Sequence, residues 1–360
     1  MISGGGTGGH IYPAIAIANA WKDKHPGTEI LFVGAEGKME MQKVPEAGYR
    51  IEGLKVAGLQ RSLSLSNLSF PFKLWGSLKR AKKLIKEFGP DAVVGVGGYA
   101  SGPVLYMAQS KNIPTLIQEQ NSYAGLTNKI LAKKANKICV AYPGMDKFFP
   151  ASKIQYTGNP VRKDIINLEG KTEKAMRHFD LDAGKRTLLV LGGSLGAKTI
   201  NHAVLAEMEA FERDGYQVLW QCGKFYFPEV SAKVLSSGLS HIHVREFIKE
   251  MDLAYAIADV IVSRAGALSV SEISLVGKPT VFIPSPNVAE DHQTKNAMAF
   301  VQAKAAVLLT DAEAVGRLKD TVEGLFSDSE EVTVMGKNLK KLAKPNAANE
   351  IVEALESILS

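Results

Sequence analysis

Two glycine-rich turns limit what this chain can fold into. GGGTGGH (residues 4–10) and LGGSLGAK (residues 191–198) each follow an apolar run and open an amphipathic helical pattern. Strand, glycine turn and helix, in that order, open a doubly wound sheet, where the turn must bring backbone close to backbone. The unit occurs at the start and again past the middle of 360 residues, a length that suggests about two domains at roughly 150 residues each. Further apolar runs lie at 30–33, 92–96, 115–117 and 137–141 in the first half, and at 187–191, 217–221, 259–263 and 280–283 in the second. Helical patterns such as 13–24 and 198–213 separate them. Short, fully apolar strands alternating with helices predict parallel sheets covered on both faces. The expected class is therefore α/β, with two Rossmann-like domains facing each other across a cleft.

Residues 150–166 (PASKIQYTGNPVRKDII) carry two prolines and a Gly-Asn-Pro turn, and are read as the connection between the domains. This gives a first domain over 1–160, a second over 161–340, and a terminal helix in 341–360, following Pro345, expected to pack back on the first domain. Only Met1, Ile2 and Ser3 precede the first glycine turn, short for a parallel strand of about five residues, so a trimmed or misassigned start is expected.

Composition narrows the function classes. Two cysteines, Cys139 and Cys222, cannot form a disulfide framework or a zinc cage, and both lie in apolar runs that predict buried, reduced thiols. No apolar run approaches the roughly 18 residues that a membrane span needs, and no secretory signal opens the chain, so a cytoplasmic protein is expected. The net charge of +6 is mild. It favours an anionic ligand or surface where clustered, and gives no reason to expect nucleic acid.

The glycine turns admit several chemistries. Gly4, Gly6 and Gly9 satisfy G-x-G-x-x-G, and Glu36 stands where a ribose-binding acid would follow in a dinucleotide site; a plain tight turn satisfies the same pattern. Two features lead away from a nicotinamide cofactor: the second glycine turn, and His10, which ends the first turn where an imidazole can project into a cleft. LGGSLGAK is the stronger phosphate site, since free amides at a helix N-terminus favour an anion and the Ser194 hydroxyl adds a donor. A third strand–turn–helix, SRAGALSVSEI (263–273), carries Glu272 one helical turn after Leu268, able to reach ribose hydroxyls or, alternatively, to sit as a solvated helix residue.

GGGTGGH, GGYASGP (97–103), QEQN (118–121), GNPVR (158–162), GGSLGA (192–197) and GALSVSEI (266–273) occur in this order. Together they closely resemble the MurG-type N-acetylglucosaminyltransferases of peptidoglycan synthesis, in glycosyltransferase family 28, over more than three quarters of the chain. The resemblance implies the GT-B fold and transfer of N-acetylglucosamine from UDP-N-acetylglucosamine to the C4 hydroxyl of the muramoyl sugar of undecaprenyl-diphosphate-linked lipid I, with inversion, to give lipid II. It implies no cofactor and no metal, helix amides holding the diphosphate instead. An inverting displacement needs a base on the acceptor hydroxyl and stabilisation of the departing UDP. The resemblance puts His10 forward as the base, against a purely structural histidine, with Glu119 as the alternative base. It implies that Thr7, Gly8, Gly9 and Asn121 approach the transferred sugar. Arg162, Ser194, Ile248, Ala267, Leu268, Ser269, Val270, Ser271 and Glu272 would handle the nucleotide, with Glu272 on the ribose and the Ile248 backbone clamping the uracil edge unless Ile248 is an ordinary core residue. Gln293 would contact the sugar, while His292 departs from the paired glutamines of some family members. Tyr99 and Ser101 would line the acceptor side or serve only their glycine loop.

A lipid-linked acceptor requires the enzyme to reach the bilayer. Residues 70–88 (FPFKLWGSLKRAKKLIKEF) place Leu74, Leu78, Ala81, Ile85 and Phe88 at helical spacing, as a core stripe would. Phe70, Phe72 and Trp75 fall at the front end, and Lys79, Arg80 and four further cations, Lys73, Lys82, Lys83 and Lys86, surround them. Aromatics with cations at one helix end suit peripheral attachment to the anionic cytoplasmic face of the cell membrane, against the plainer reading of a solvated face. Other cell-wall synthesis proteins are candidate partners. The rival readings are another lipid glycosyltransferase, a nicotinamide oxidoreductase and a non-catalytic sugar-nucleotide sensor.

Overall fold

The computed structural model describes residues 1–56, 70–288 and 291–359, except the side chain of Phe70. Two compact units emerge, one of Met1–Val161 with Lys344–Ser360 and one of Arg162–Ala343. In chain order the first contains β1 (Ile2–Ser3), α1 (Gly8–Lys24), β2 (Leu31–Ala35), α2 (Glu40–Glu46), β3 (Arg50–Leu54), α3 (Phe70–Phe88), β4 (Val93–Gly95), α4 (Ser101–Gln109), β5 (Thr115–Glu119), α5 (Leu126–Ala132), β6 (Lys137–Val140) and β7 (Ile154–Tyr156). The second contains α6 (Thr172–Phe179), β8 (Arg186–Leu191), α7 (Lys198–Arg213), β9 (Tyr216–Gln221), α8 (Phe227–Ser237), β10 (Ile242–Arg245), α9 (Met251–Ile257), β11 (Val260–Ser263), α10 (Ala267–Val276), β12 (Thr280–Phe282), α11 (His292–Gln302), β13 (Val307–Leu308), α12 (Asp311–Ser327) and α13 (Ser329–Leu342). The last helix, α14 (Ala347–Glu356), returns to the first unit and packs on α1 and β6.

Among the described residues each unit has one sheet, and every strand pairing is parallel. The orders are β3-β2-β1-β4-β5-β6-β7 and β10-β9-β8-β11-β12-β13. The order in which strands are added reverses between β1 and β4 in the first sheet and between β8 and β11 in the second. These switch points are where open α/β sheets bind ligands, outside the carboxyl ends of the strands. The turns after β1, β4, β8 and β11 hold GGGTGGH, GGYASGP, GGSLGA and GALSVSEI. The glycine motifs thus lie where topology opens a crevice.

The central strands are apolar because both faces are covered. In the first sheet Val93, Ile117 and Ile138 face a layer with Leu84, Leu105 and Leu131. Their neighbours Val94, Leu116 and Cys139 face the opposite layer, with Ile11, Ile17, Ile351 and Leu355. Neighbouring strand residues point to opposite faces, so a strand buried on both must be apolar throughout. A Glu356 carboxylate accepting from Lys24 and His25, 2.7 Å each, ties α14 to the end of α1. Strands β3, β7 and β10 lie at sheet edges and carry charged or polar residues, so they lack the apolar signature; β7 falls inside the stretch read as a connection. Among the described residues no helix is long and apolar enough to cross a membrane.

Both cysteines are buried, and burial pushes the Cys139 thiol up to about 12 and the Cys222 thiol up to about 11. Thiolate is the reactive form. At about pH 8 a thiol reagent such as Ellman's should therefore leave both unmodified in the folded protein and titrate both after denaturation. Rapid reaction of either in the folded state would contradict this packing.

Candidate functional site

In the first unit, glycine is required by contact as much as by conformation. Gly5 and Gly6 have φ of +148° and +90°, and Gly97 and Gly98 have φ of +90° and +82°. A Cβ on Gly98 would lie 2.3 Å from the Gly5 carbonyl oxygen, so the turns after β1 and β4 touch backbone to backbone. His10, in the first turn of α1, lies against the second of them: a Cβ on Gly97 would be 2.9 Å from its Nε2 and Cδ2. Its Nδ1 is 3.3 Å from the hydroxyl of Thr7, the residue that precedes α1. With Nδ1–H donating to Thr7, Nε2 carries the lone pair, as a base requires. Gly8 and Gly9 form the first turn of α1 beside Thr7.

The QEQN segment is mostly scaffold. Glu119 is buried, and its carboxylate accepts from the Asn121 and Gly125 amides at 3.1 and 3.0 Å and from the Asn121 and Asn128 side chains at 3.4 and 2.8 Å. Four N–H donors shape the loop around it, so Glu119 is poorly suited to the alternative base role. Gln118 and Gln120 join a buried amide chain with Asn159 of the Gly-Asn-Pro turn and the Val96 carbonyl. Asn121 is half-buried, at the loop's edge. Ser101 does not line an open face: it is buried and donates to the Gly98 carbonyl at 3.0 Å. Tyr99 is 62% exposed. The difference follows from position, since Ser101 starts α4 while Tyr99 lies in the turn before it.

In the second unit the turn after β8 interlocks with the turn after β9. A Cβ on Gly223 would lie 2.1 Å from the Gly196 nitrogen, and one on Gly196 would lie 2.4 Å from the Cys222 carbonyl oxygen. The Gly192 amide donates to the Gln221 carbonyl at 3.0 Å and the Lys224 amide to the Ser194 carbonyl at 3.1 Å. Ser194 itself is exposed, and Ala197, capping α7, offers the helix amides no side-chain acceptor. The 16 residues of α7 therefore present a positive dipole end, uncapped by any side chain, at this turn, an arrangement that favours an anion.

Ala267 to Glu272 form the first turns of α10 behind Gly266. Leu268, Ser269 and Ser271 are half-exposed, and Ala267 is buried at the helix start. Val270 departs from the expectation: its side chain is wholly buried and its amide donates to the Gly266 carbonyl, which leaves it a packing role. The Ile248 side chain is also core, and its amide donates to Gln221 Oε1 at 2.9 Å, so a uracil clamp there would fall to its carbonyl. Gln293, at the start of α11, accepts from the Ser285 amide at 2.9 Å.

Glu272 is not a solvated helix residue. It is buried, with Arg162 Nε 3.1 Å from one oxygen and the Tyr255 hydroxyl 3.1 Å from the other. Two candidate nucleotide residues 110 positions apart thus form one ion pair. Tyr255, Gln221 and Glu40 escaped the sequence reading. Tyr255 and Gln221 lie in ordinary apolar stretches, and only a partner distant in sequence gives them a role.

Burial outweighs the Arg162 partner and raises the Glu272 carboxyl above its usual 4.5. A raised acid contributes stability that is complete below the unfolded value and lost as pH rises through the higher folded one. Between about pH 4.5 and neutrality, the loss of thermal stability should be steeper in the parent chain than in Glu272→Gln. Identical slopes would contradict a buried, costly carboxylate.

Similarity to known proteins shows the family. The N-terminal domain model of glycosyltransferase family 28 matches residues 1–140, and its C-terminal domain model matches residues 187–351. A UDP-N-acetylglucosamine–N-acetylmuramyl-(pentapeptide) pyrophosphoryl-undecaprenol N-acetylglucosamine transferase of Flavobacterium psychrophilum is 53% identical over 99% of this chain and 96% of its own. One of the same name from Cytophaga hutchinsonii is 54% identical over 100% of this chain and 96% of its own. The crystal structure of Acinetobacter baumannii MurG superposes with a TM-score of 0.77 at 28% identity, covering 99% of each chain. The fold is that of the GT-B glycosyltransferases, and the chain belongs to glycosyltransferase family 28.

Proposed function

We infer that this chain is an inverting glycosyltransferase that moves N-acetylglucosamine from UDP-N-acetylglucosamine to the C4 hydroxyl of the muramoyl sugar of lipid I, forming lipid II. The observation that carries the reading is more than half identity, along essentially the whole chain, to transferases named for that reaction. The glycine turns at both switch points supply the matching chemistry. His10 Nε2 takes the proton of the C4 hydroxyl as its oxygen attacks the anomeric carbon. The bond from that carbon to the diphosphate oxygen breaks, and UDP leaves. Thr7 orients the imidazole, a role supported by its 3.3 Å contact with Nδ1. Gly8, Gly9 and Asn121 offer close approach and an amide to the sugar. The α7 amides and Ser194 stabilise the diphosphate, the first turn of α10 and the Ile248 carbonyl take the nucleoside, and Gln293 meets the sugar. Glu272 accepts from the ribose hydroxyls, and Arg162 holds that carboxylate while lending its charge to the leaving group.

Attachment to the anionic cytoplasmic face of the cell membrane completes the reading. Near the start of α3, Phe72 and Trp75 stand clear of the core, 79% and 67% exposed, while the Phe70 side chain lies outside the described residues. Beside it an apolar groove of about 600 Å³ is lined by Leu74, Leu78, Tyr99, Tyr106, Leu126 and Ile130. Lys79 lies over the Trp75 ring at 5.5 Å, and Lys73, Lys82, Lys83 and Lys86 are exposed along the helix. Arg80 belongs less to this set, because it pairs with Glu52 at 2.8 Å. Aromatic burial of about 1.5–3 kcal/mol per ring with about 1 kcal/mol per cation near an anionic leaflet is enough for reversible binding.

Two measurements test these assignments. UDP release from UDP-N-acetylglucosamine should depend on a short-chain lipid I analogue and should fall about 10²–10⁴-fold in His10→Ala with UDP affinity retained. Release with diacylglycerol instead, or an unimpaired variant, would overturn the reading. In sedimentation with phosphatidylglycerol-containing vesicles, Phe72→Ser/Trp75→Ser should weaken binding by about tenfold or more while turnover of a water-soluble acceptor holds. Unchanged sedimentation would remove α3 from the membrane contact.

A further inference from the structure

The first glycine loop holds a carboxylate to which the proposed transfer steps give no part. Glu40, the first residue of α2, is 1% exposed. Its Oε2 accepts the Gly6 amide at 2.9 Å and its Oε1 accepts the Ala35 amide at 2.9 Å. The loop is shaped to admit this side chain: a Cβ on Gly5 would lie 2.1 Å from Oε1, and a Cβ on Gly34 would lie 2.5 Å from Cγ. Glycines in two separate segments therefore make room for one carboxylate. Both partners are N–H donors, so the site asks for a group that accepts at both oxygens. A glutamine would turn an NH₂ toward one of those donors. Burying a carboxylate is costly unless it is well hydrogen-bonded, which makes a merely incidental placement a poor explanation.

We propose that Glu40 is a positioning residue for His10, acting through Gly5, Gly6 and Thr7; this rests on the reading of His10 as the base. Two routes connect them. Along the chain, Gly6 is held by Glu40 and is followed by Thr7, whose carbonyl accepts the His10 and Ile11 amides at 3.1 and 3.2 Å and whose hydroxyl meets Nδ1. Across the loops, Gly5 supports Gly98, and the neighbouring Gly97 lies under the His10 ring. A shift of Gly5 and Gly6 thus moves both the group that orients the imidazole and the surface on which it rests. The same carboxylate sets a negative charge against the loop's first turn and takes up one of its amides. That accounts for a G-x-G-x-x-G sequence without a dinucleotide's diphosphate.

Glu40→Gln tests the polar half of the claim. Gly34→Ala tests the steric half, because the added methyl displaces the Glu40 side chain while keeping its charge. In each, kcat for acceptor-dependent UDP release should fall on the order of 10–100-fold, as sub-ångström to ångström misplacement of a catalytic group does. KM for UDP-N-acetylglucosamine should change less than about twofold, and the limb of the pH–rate profile assigned to the base should shift. Introduced into His10→Ala, either change should cost little more, since residues acting as a unit are not additive. Unchanged kcat and pH profile in a folded variant, or an equal loss in the His10→Ala background, would overturn the proposal and leave the base intact. An active His10→Ala enzyme would instead remove the base and this proposal with it. Should Glu40→Gln not fold, Gly34→Ala carries the same comparison.

Discussion

Both units depend on backbone lying against backbone at the carboxyl end of a parallel sheet. Gly98 rests on Gly5 in one and Gly223 on Gly196 in the other, at separations where any side chain would collide. Two neighbouring strands can then end in turns close enough to build one surface. Helices α1 and α4, or α7 and α8, start from those turns. Topology creates the crevice, and glycine lets the chain use it.

The two surfaces differ in electrostatics although their sequences look alike. In the first unit a carboxylate already occupies the glycine turn, and the residue presented is an imidazole. In the second the turn after β8 is braced by carbonyl and amide contacts from the turn after β9, and the α7 amides meet no internal acid from their cap. An anion is therefore accommodated differently by the two turns. On the proposed reading, that contrast separates a base-bearing loop from a phosphate-bearing loop within one architecture.

Much of this was legible from residues alone because β4, β5, β8 and β11 are buried on both faces and so read as unbroken apolar runs. Strands β3, β7 and β10, at the edges, were not legible, since one open side admits Arg50, Gln155 and His243. Motif positions were readable but side-chain directions were not. Ser101, Glu119 and Val270 turn inward, because a helix start, a loop anchor and a core-facing helical position look the same in sequence as their outward neighbours Tyr99, Asn121 and Ser269. Glu40 and Tyr255 acquire meaning only through Gly6 and Glu272, 34 and 17 positions away. Contacts of that kind follow from the fold and precede no recognisable pattern.

The central claim is a division of labour, in which the nucleotide is taken by the glycine turn of the second unit and not by that of the first. Amide hydrogen exchange with and without saturating UDP tests it most directly. The account predicts protection over residues 192–200 and 266–272, with no comparable change over residues 4–10. Protection of residues 4–10 equal to or greater than that of 192–200 would contradict it.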